Sequence, residues 1–199
     1  MSRVNLVFIF AAFFFTNCDH NFIPKPTAYA RIELPAHSYI SPNPETWACP
    51  YTFEASKLSY ITLDPKYKAE QCWYNVYYPK LNATIHLTYA PVENDLSIKI
   101  EDNRKLAMKH IGKATQINEQ LIENKEERVF GLVYDFRGET ASDMQFFVTD
   151  SVSHFLRGSL YFNVTPNKDS LEPVIQYVKE DIHHMIESLR WIESSVGPQ

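Results

Sequence analysis

Residues 144–164 read MQFFVTDSVSHFLRGSLYFNV. Two runs of aromatic and β-branched residues, Met144 to Asp150 and His154 to Val164, flank the short polar break Ser151-Val152-Ser153, and Pro166-Asn167 closes the unit. That pattern predicts an antiparallel hairpin. Directly behind it, Val174, Val178, Ile182, Met185, Leu189 and Ile192 recur every three or four residues, the spacing of one helix face. Asp169 or Ser170 can cap this helix, and Pro173 falls in its first turn, where a missing N–H costs little. The apolar stripe needs a sheet to lie on, so hairpin and helix together predict a sheet with a helix against one face.

Working outward, Ile117 to Glu123 alternates as a strand through Ile117, Glu119 and Leu121, and Val129 to Phe136 is apolar enough to read as the central strand. A helix of about seventeen residues precedes them, capped by Asn94 or Asp95, carrying Leu96, Ile100, Asn103, Ala107 and Ile111 on one face and stopped by Gly112. Earlier still, Cys72–Tyr78 and Thr84–Tyr89 form a second hairpin across Pro79-Lys80-Leu81-Asn82. Ile85, Leu87 and Tyr89 face its core side, with Thr84, His86 and Thr88 opposite. Helices separated by runs of antiparallel strands predict an α+β fold, an antiparallel β-sheet flanked by helices. The order of elements resembles the Mog1/PsbP-like α/β/α sandwich.

The N-terminus gives the address. Arg3 precedes an apolar run, Val4 to Phe15, too short to span a bilayer, and Thr16-Asn17-Cys18 resembles the lipobox of bacterial lipoproteins, with Phe15 and Asn17 in place of its preferred residues. Residues 1–17 thus read as a lipoprotein signal peptide, and Cys18 as the lipidation site. Residues 18–48, with Pro24, Pro26, Pro35, Pro42 and Pro44, read as a lipid-anchored proline-rich tether running into a loop-rich segment. Residues 49–193 are expected to form one α+β domain, and 194–199 a C-terminal tail.

Loss of residues 1–17 takes Arg3 with it, leaving 18 basic against 24 acidic residues, so the mature chain is anionic and without the basic stripe that nucleic acid requires. The five glycines, Gly112, Gly131, Gly138, Gly158 and Gly197, spell neither a dinucleotide fingerprint nor a phosphate loop. With Cys18 given to lipid, Cys49 and Cys72 remain as a pair in an exported chain, and a disulfide is the first reading. Two buried thiols are the second, and a metal site the last, because the close cysteine spacing of zinc sites is absent.

Candidate chemistry is sparse. His183 and Glu187 stand four apart with Glu180, Asp181 and His184 nearby, but they lie off the apolar stripe, where a charged solvated face is expected. Asp150, Ser151, Ser153 and His154 crowd one turn without the strand-turn-helix elbow of a serine nucleophile. Asp135, Arg137, Glu139 and Asp143 gather charge at the end of a strand, around Gly138, as a candidate partner-binding loop. Arg157-Gly158 inside an apolar strand suggests a bulge, or a buried arginine paired with Asp135 or Asp150. No catalytic residue, metal site or cofactor is assigned.

Pro24-Lys25-Pro26, Arg31 to Pro35, Cys49-Pro50-Tyr51, Cys72-Trp73, Tyr78-Pro79-Lys80, Thr84 to Leu87, Glu101-Asp102, Gln145-Phe146 and His154 to Phe162, in this order behind a lipobox-like cysteine, resemble the gliding motility lipoprotein GldD of the Bacteroidetes. The resemblance spans nearly the whole mature chain and departs at Thr27-Ala28, where Arg-Gly is expected. It implies a non-enzymatic envelope lipoprotein required for gliding and for the associated type IX protein secretion. Such a protein is a periplasmic adaptor or assembly factor, working with other gliding or secretion lipoproteins and motor components. Contacts are expected at Asp135, Arg137, Glu139, Asp143 and Arg157. The absence of an acidic pair in His20-Asn21-Phe22 points to the periplasmic side; Asp19 resembles the residue that in some bacteria retains a lipoprotein at the inner membrane, and the choice of inner or outer membrane stays open. The alternative from another class is a periplasmic small-ligand-binding module, with Trp73, Tyr77 and His86 lining a pocket on the sheet.

Overall fold

The computed structural model describes residues 33–44, 46–63, 72–163 and 168–192. The export signal, Cys18, residues 18–32 of the expected tether, Pro166-Asn167 and the C-terminal tail lie outside these residues. In chain order the elements are β1 (Tyr39–Ile40), β2 (Tyr51–Thr52), β3 (Ala55–Ser56), β4 (Tyr60–Leu63), β5 (Tyr74–Tyr78), β6 (Ala83–Pro91), α1 (Leu96–Met108), β7 (Ala114–Asn124), β8 (Val129–Gly138), β9 (Met144–Thr149), β10 (His154–Phe162), α2 (Lys168–Glu187) and β11 (Arg190–Trp191).

The first-quoted stretch forms β9 and β10, and β10 is the middle strand of a seven-stranded sheet ordered β4-β5-β6-β10-β9-β8-β7. Every neighbouring pair in it is antiparallel. β8, expected at the centre, is instead second from the edge. Its apolar character has another cause, since both its faces are covered: Val129 and Val133 join the core beneath α2, while Tyr134 and Phe136 pack with Ala107 of α1. The result is an α+β sandwich, with α1 on one face of the sheet and α2 on the other.

Arg157-Gly158 makes no bulge, because register runs unbroken through both neighbouring strands. Gly158 is required by a ring. It faces Phe146 across β9·β10, and a Cβ there would lie 2.2 Å from the phenyl carbons. The earlier hairpin forms β5 and β6, turning at Asn82 with φ 50°, and buries Ile85 and Leu87 on the side that Tyr89 shares.

Both helices end earlier than their stripes suggest, and α2 begins earlier, at Lys168, before the expected cap at Asp169 or Ser170. α1 stops at Met108 and the chain leaves it through tight turns, His110 N to Ala107 O at 3.1 Å and Ile111 N to Met108 O at 3.1 Å, which carry Ile111 out to solvent. Asp95 gives α1 no side-chain cap, holding Lys99 and the Glu93 N–H instead. α2 buries Val174, Val178, Ile182 and Met185, but ends at Glu187, so Leu189 is buried from the following turn and Ile192 is exposed. Pro173 lies inside α2 rather than at its first turn, because the helix begins at Lys168.

The described part of the expected proline-rich tether, residues 33–44 and 46–48, packs onto the domain through Leu34 and Trp47. Together with residues up to Ser56 it covers the part of the α2-side face over β5 and β6. Trp47 stacks on Tyr74 at 4.4 Å between ring centroids, and Tyr51 on Tyr89 at 5.7 Å. β1 pairs with β3, β2 pairs with β11, and a Cys49–Cys72 disulfide ties the segment to the start of β5.

Candidate functional site

β8 delivers Asp135 to the face under α2, where Lys179 meets it with Nζ 2.5 Å from Oδ1. Lys179 is only 5% exposed, so its ammonium depends on that carboxylate. Past Asp135 the chain turns at Gly138, whose φ of +103° suits glycine, and a Cβ there would sit 2.8 Å from the backbone of both Lys113 and Thr115. The returning arm is buried at Thr140, Ser142 and Asp143 and is latched by Phe136 N to Asp143 O at 3.1 Å and Asp143 N to Leu160 O at 3.3 Å. Arg137 and Glu139 are thereby left exposed at the tip. Phe136, Arg137, Gly138, Glu139 and Asp143 on one side, with Glu172, Ile175 and Lys179 of α2 on the other, enclose a cleft of about 420 Å³.

The expected loop residues therefore come together, and Arg157 does not join them. Arg157 lies on the opposite face of the sheet, beneath α1, and pairs with neither Asp135 nor Asp150. Its Nε donates to Asn103 Oδ1 at 3.0 Å and its Nη2 to Gln145 Oε1 at 3.2 Å. Burial pushes its pKa down from the ordinary arginine value, with Tyr161 opposing. Asp135 is taken by Lys179. Asp150 is taken by its own turn, Oδ1 accepting the N–H groups of Val152, Ser153 and His154 at 2.8–2.9 Å. Burial raises the Asp150 pKa, but those three donors outweigh it and hold the carboxyl below its ordinary range. His154 in that turn contacts the Tyr89 hydroxyl at 2.8 Å, and burial lowers its pKa.

One constellation was not visible in the sequence. Asp181, expected on a solvated helix face, is 1% exposed, and it accepts from Tyr78 Oη at 3.1 Å and contacts His37 Nδ1 at 2.7 Å. The other ring nitrogen of His37 is 2.8 Å from Glu180. Around this core the rings of Tyr177 and His37 stack at 4.0 Å, those of Tyr39 and His184 at 3.6 Å, and His184 Nε2 meets Glu54 at 2.6 Å. Desolvation first, then Asp181, raises the Tyr39 pKa to about 12. Tyr78 is raised further for the same two reasons. The cluster clamps the N-terminal segment to α2. His183 and Glu187 stand apart from it, lining a groove beside β7. Of the residues expected in the alternative ligand site, Tyr77 is exposed, His86 lies opposite Asn75 in the β5–β6 register and contacts it at 2.6 Å, and Trp73 gives its indole N–H to Tyr89 O at 2.8 Å.

The chain thus folds as a disulfide-tied α/β/α sandwich, with its N-terminal segment clamped to a helix and a charged cleft at one end of the sheet. The chain belongs to the gliding motility lipoprotein GldD family, whose model matches residues 19–191. It is therefore a lipoprotein of the cell envelope with a role in gliding motility. No curated protein matches the chain significantly. Among solved structures it is similar to the solution structure of cyanobacterial PsbP (CyanoP) from Synechocystis sp. PCC 6803, at 7% identity over 82% of this chain and 97% of that one, with a TM-score of 0.46.

Proposed function

We propose that this protein is a non-enzymatic periplasmic adaptor or assembly factor for the gliding apparatus and its associated type IX protein secretion, held to the membrane by lipid on Cys18. The family match carries this reading, and it begins at residue 19, directly after the cysteine. Residues 18–32 serve as the tether, followed by a single domain. The partner is another gliding or secretion lipoprotein or a motor component. Its contact surface is the cleft where Arg137 and Glu139 project beside Asp143 and Glu172, because loops fixed on a rigid scaffold are where recognition concentrates. Arg157, on the other face, is not part of that contact. The test reverses the charges with Arg137→Glu and Glu139→Lys in cells. Loss of gliding and of secretion, at unchanged protein level, is expected. Intact gliding and secretion would remove the cleft from the mechanism.

A further inference from the structure

Among the described residues β7 pairs with β8 alone, so beyond Ala114, whose N–H donates to His110 O at 2.9 Å, one edge of this 11-residue strand has no strand partner and offers N–H and C=O groups. Beside that edge, on the α2 side, lies a groove of about 630 Å³, lined by Gln120–Glu126, Val133, His183, Ile186 and Glu187. Its floor is apolar, with Val133 and Ile186 nearly buried and Ile122 half-buried. On the strand's other face Leu121 is 73% exposed. The lining is net acidic, with Glu123, Glu126 and Glu187 against Lys125 and His183; Glu123, on the same face of the strand as Leu121, is already paired to Lys125 at 3.0 Å. α2 ends at this groove, so the negative end of its dipole adds to the field there.

From the open edge, the apolar groove and its acidic lining together, we infer that β7 receives an extended segment of a partner protein, rich in apolar and basic residues, as an eighth strand of the sheet. Main-chain bonding to the edge supplies affinity, the groove and Leu121 take apolar side chains, and Glu119, Glu123 and Glu187 select lysine or arginine. The same charges argue against a second copy of this chain, which would bring its own Glu119 and Glu123 to the edge. The inference rests on the adaptor reading only in supposing a protein partner, and it shares no residue with the cleft.

The probe is a capped nonapeptide of three Lys-Val-Val repeats, titrated into the full chain in detergent and followed by amide NMR shifts. The expected result is binding, with shifts confined to β7, β8 and the end of α2. Affinity should fall at least tenfold for the peptide N-methylated at its valines, for a Glu-Val-Val peptide, and for the Glu123→Lys, Glu187→Lys variant at unchanged Tm. Binding that survives N-methylation, shifts centred on residues 135–143, dimerisation through β7, or no binding at millimolar peptide would each overturn the proposal. None of these outcomes bears on the gliding phenotype of the cleft variant, so the two readings fail separately.

Discussion

His37 and Asp181, 144 residues apart in the chain, meet at 2.7 Å between Nδ1 and Oδ1, and Tyr78 donates to the other carboxylate oxygen. Asp181→Ala strands a buried tyrosine hydroxyl and unpairs the imidazole, so it should cost about 3 kcal/mol. His37→Ala should cost about 1 kcal/mol, because His37 is partly exposed and solvent screens its pairing. Urea unfolding measures both. The Asp181 variant should also open residues 33–48 to protease before the sheet unfolds.

Alkaline stability follows from the same cluster. Tyr39 has an ordinary value of 10.0 and is raised to about 12 in the folded chain, so the folded state keeps its phenolic proton where the unfolded state has lost it. Its contribution is complete below pH 10 and disappears as pH rises through 12. Tyr51 and Tyr78 are displaced the same way, chiefly by burial, and extend the loss upward. Thermal unfolding should show Tm falling from about pH 10, and phenolate absorbance should lag behind that of an unfolded control. Coincident titration of the two samples would refute the shift.

Asp150 has the opposite sign. Its folded value lies below 3.8, so the stability it provides is present above that pH and is lost as pH falls through the folded value. Asp150→Ala removes the acceptor for three backbone donors in the β9–β10 turn and should cost about 2 kcal/mol. Asp150→Asn keeps an oxygen there and should cost about half as much. The difference in urea midpoint between the variants reads this directly.

Gly158→Ala drives a methyl into the ring of Phe146 and should destabilise by about 2 kcal/mol. Adding Phe146→Leu should recover part of that loss. A double variant no better than the sum of its singles would show that the ring is not the cause.

The disulfide is tested by Cys49→Ser with Cys72→Ser. The bond spans 23 residues, and its removal should cost about 3 kcal/mol by loop-closure entropy. An unchanged Tm for the double variant would contradict this.

Periodicity made both hairpins and the body of α2 readable, because each depends on residues a few positions apart. The remainder was hidden by distance. β2 pairs with β11 across the length of the domain, and two-residue strands carry no alternation to detect. Asp181 resembled its charged neighbours because the histidine that accounts for it comes 144 residues earlier. Arg157 suggested a bulge or a carboxylate partner. Its partners are amides on α1 and β9, residue types with no charge to advertise them. The loop at Gly138 was recognised by its charges, but the cleft needed Glu172 and Lys179 from a helix three elements later.

The clamped N-terminal segment also decides how the molecule would bear a load. Tension entering from the N-terminal side first strains the His37–Asp181 contact and the two-residue ladder of β1 with β3. Having peeled those, it reaches Cys49 and passes through the sulfur bridge to Cys72, bypassing the chain between them and arriving at the start of β5. The weak contacts act as a yielding first stage and the covalent link as a stop. A tug would lengthen the N-terminal segment by a limited number of residues while the seven-stranded sheet stays intact.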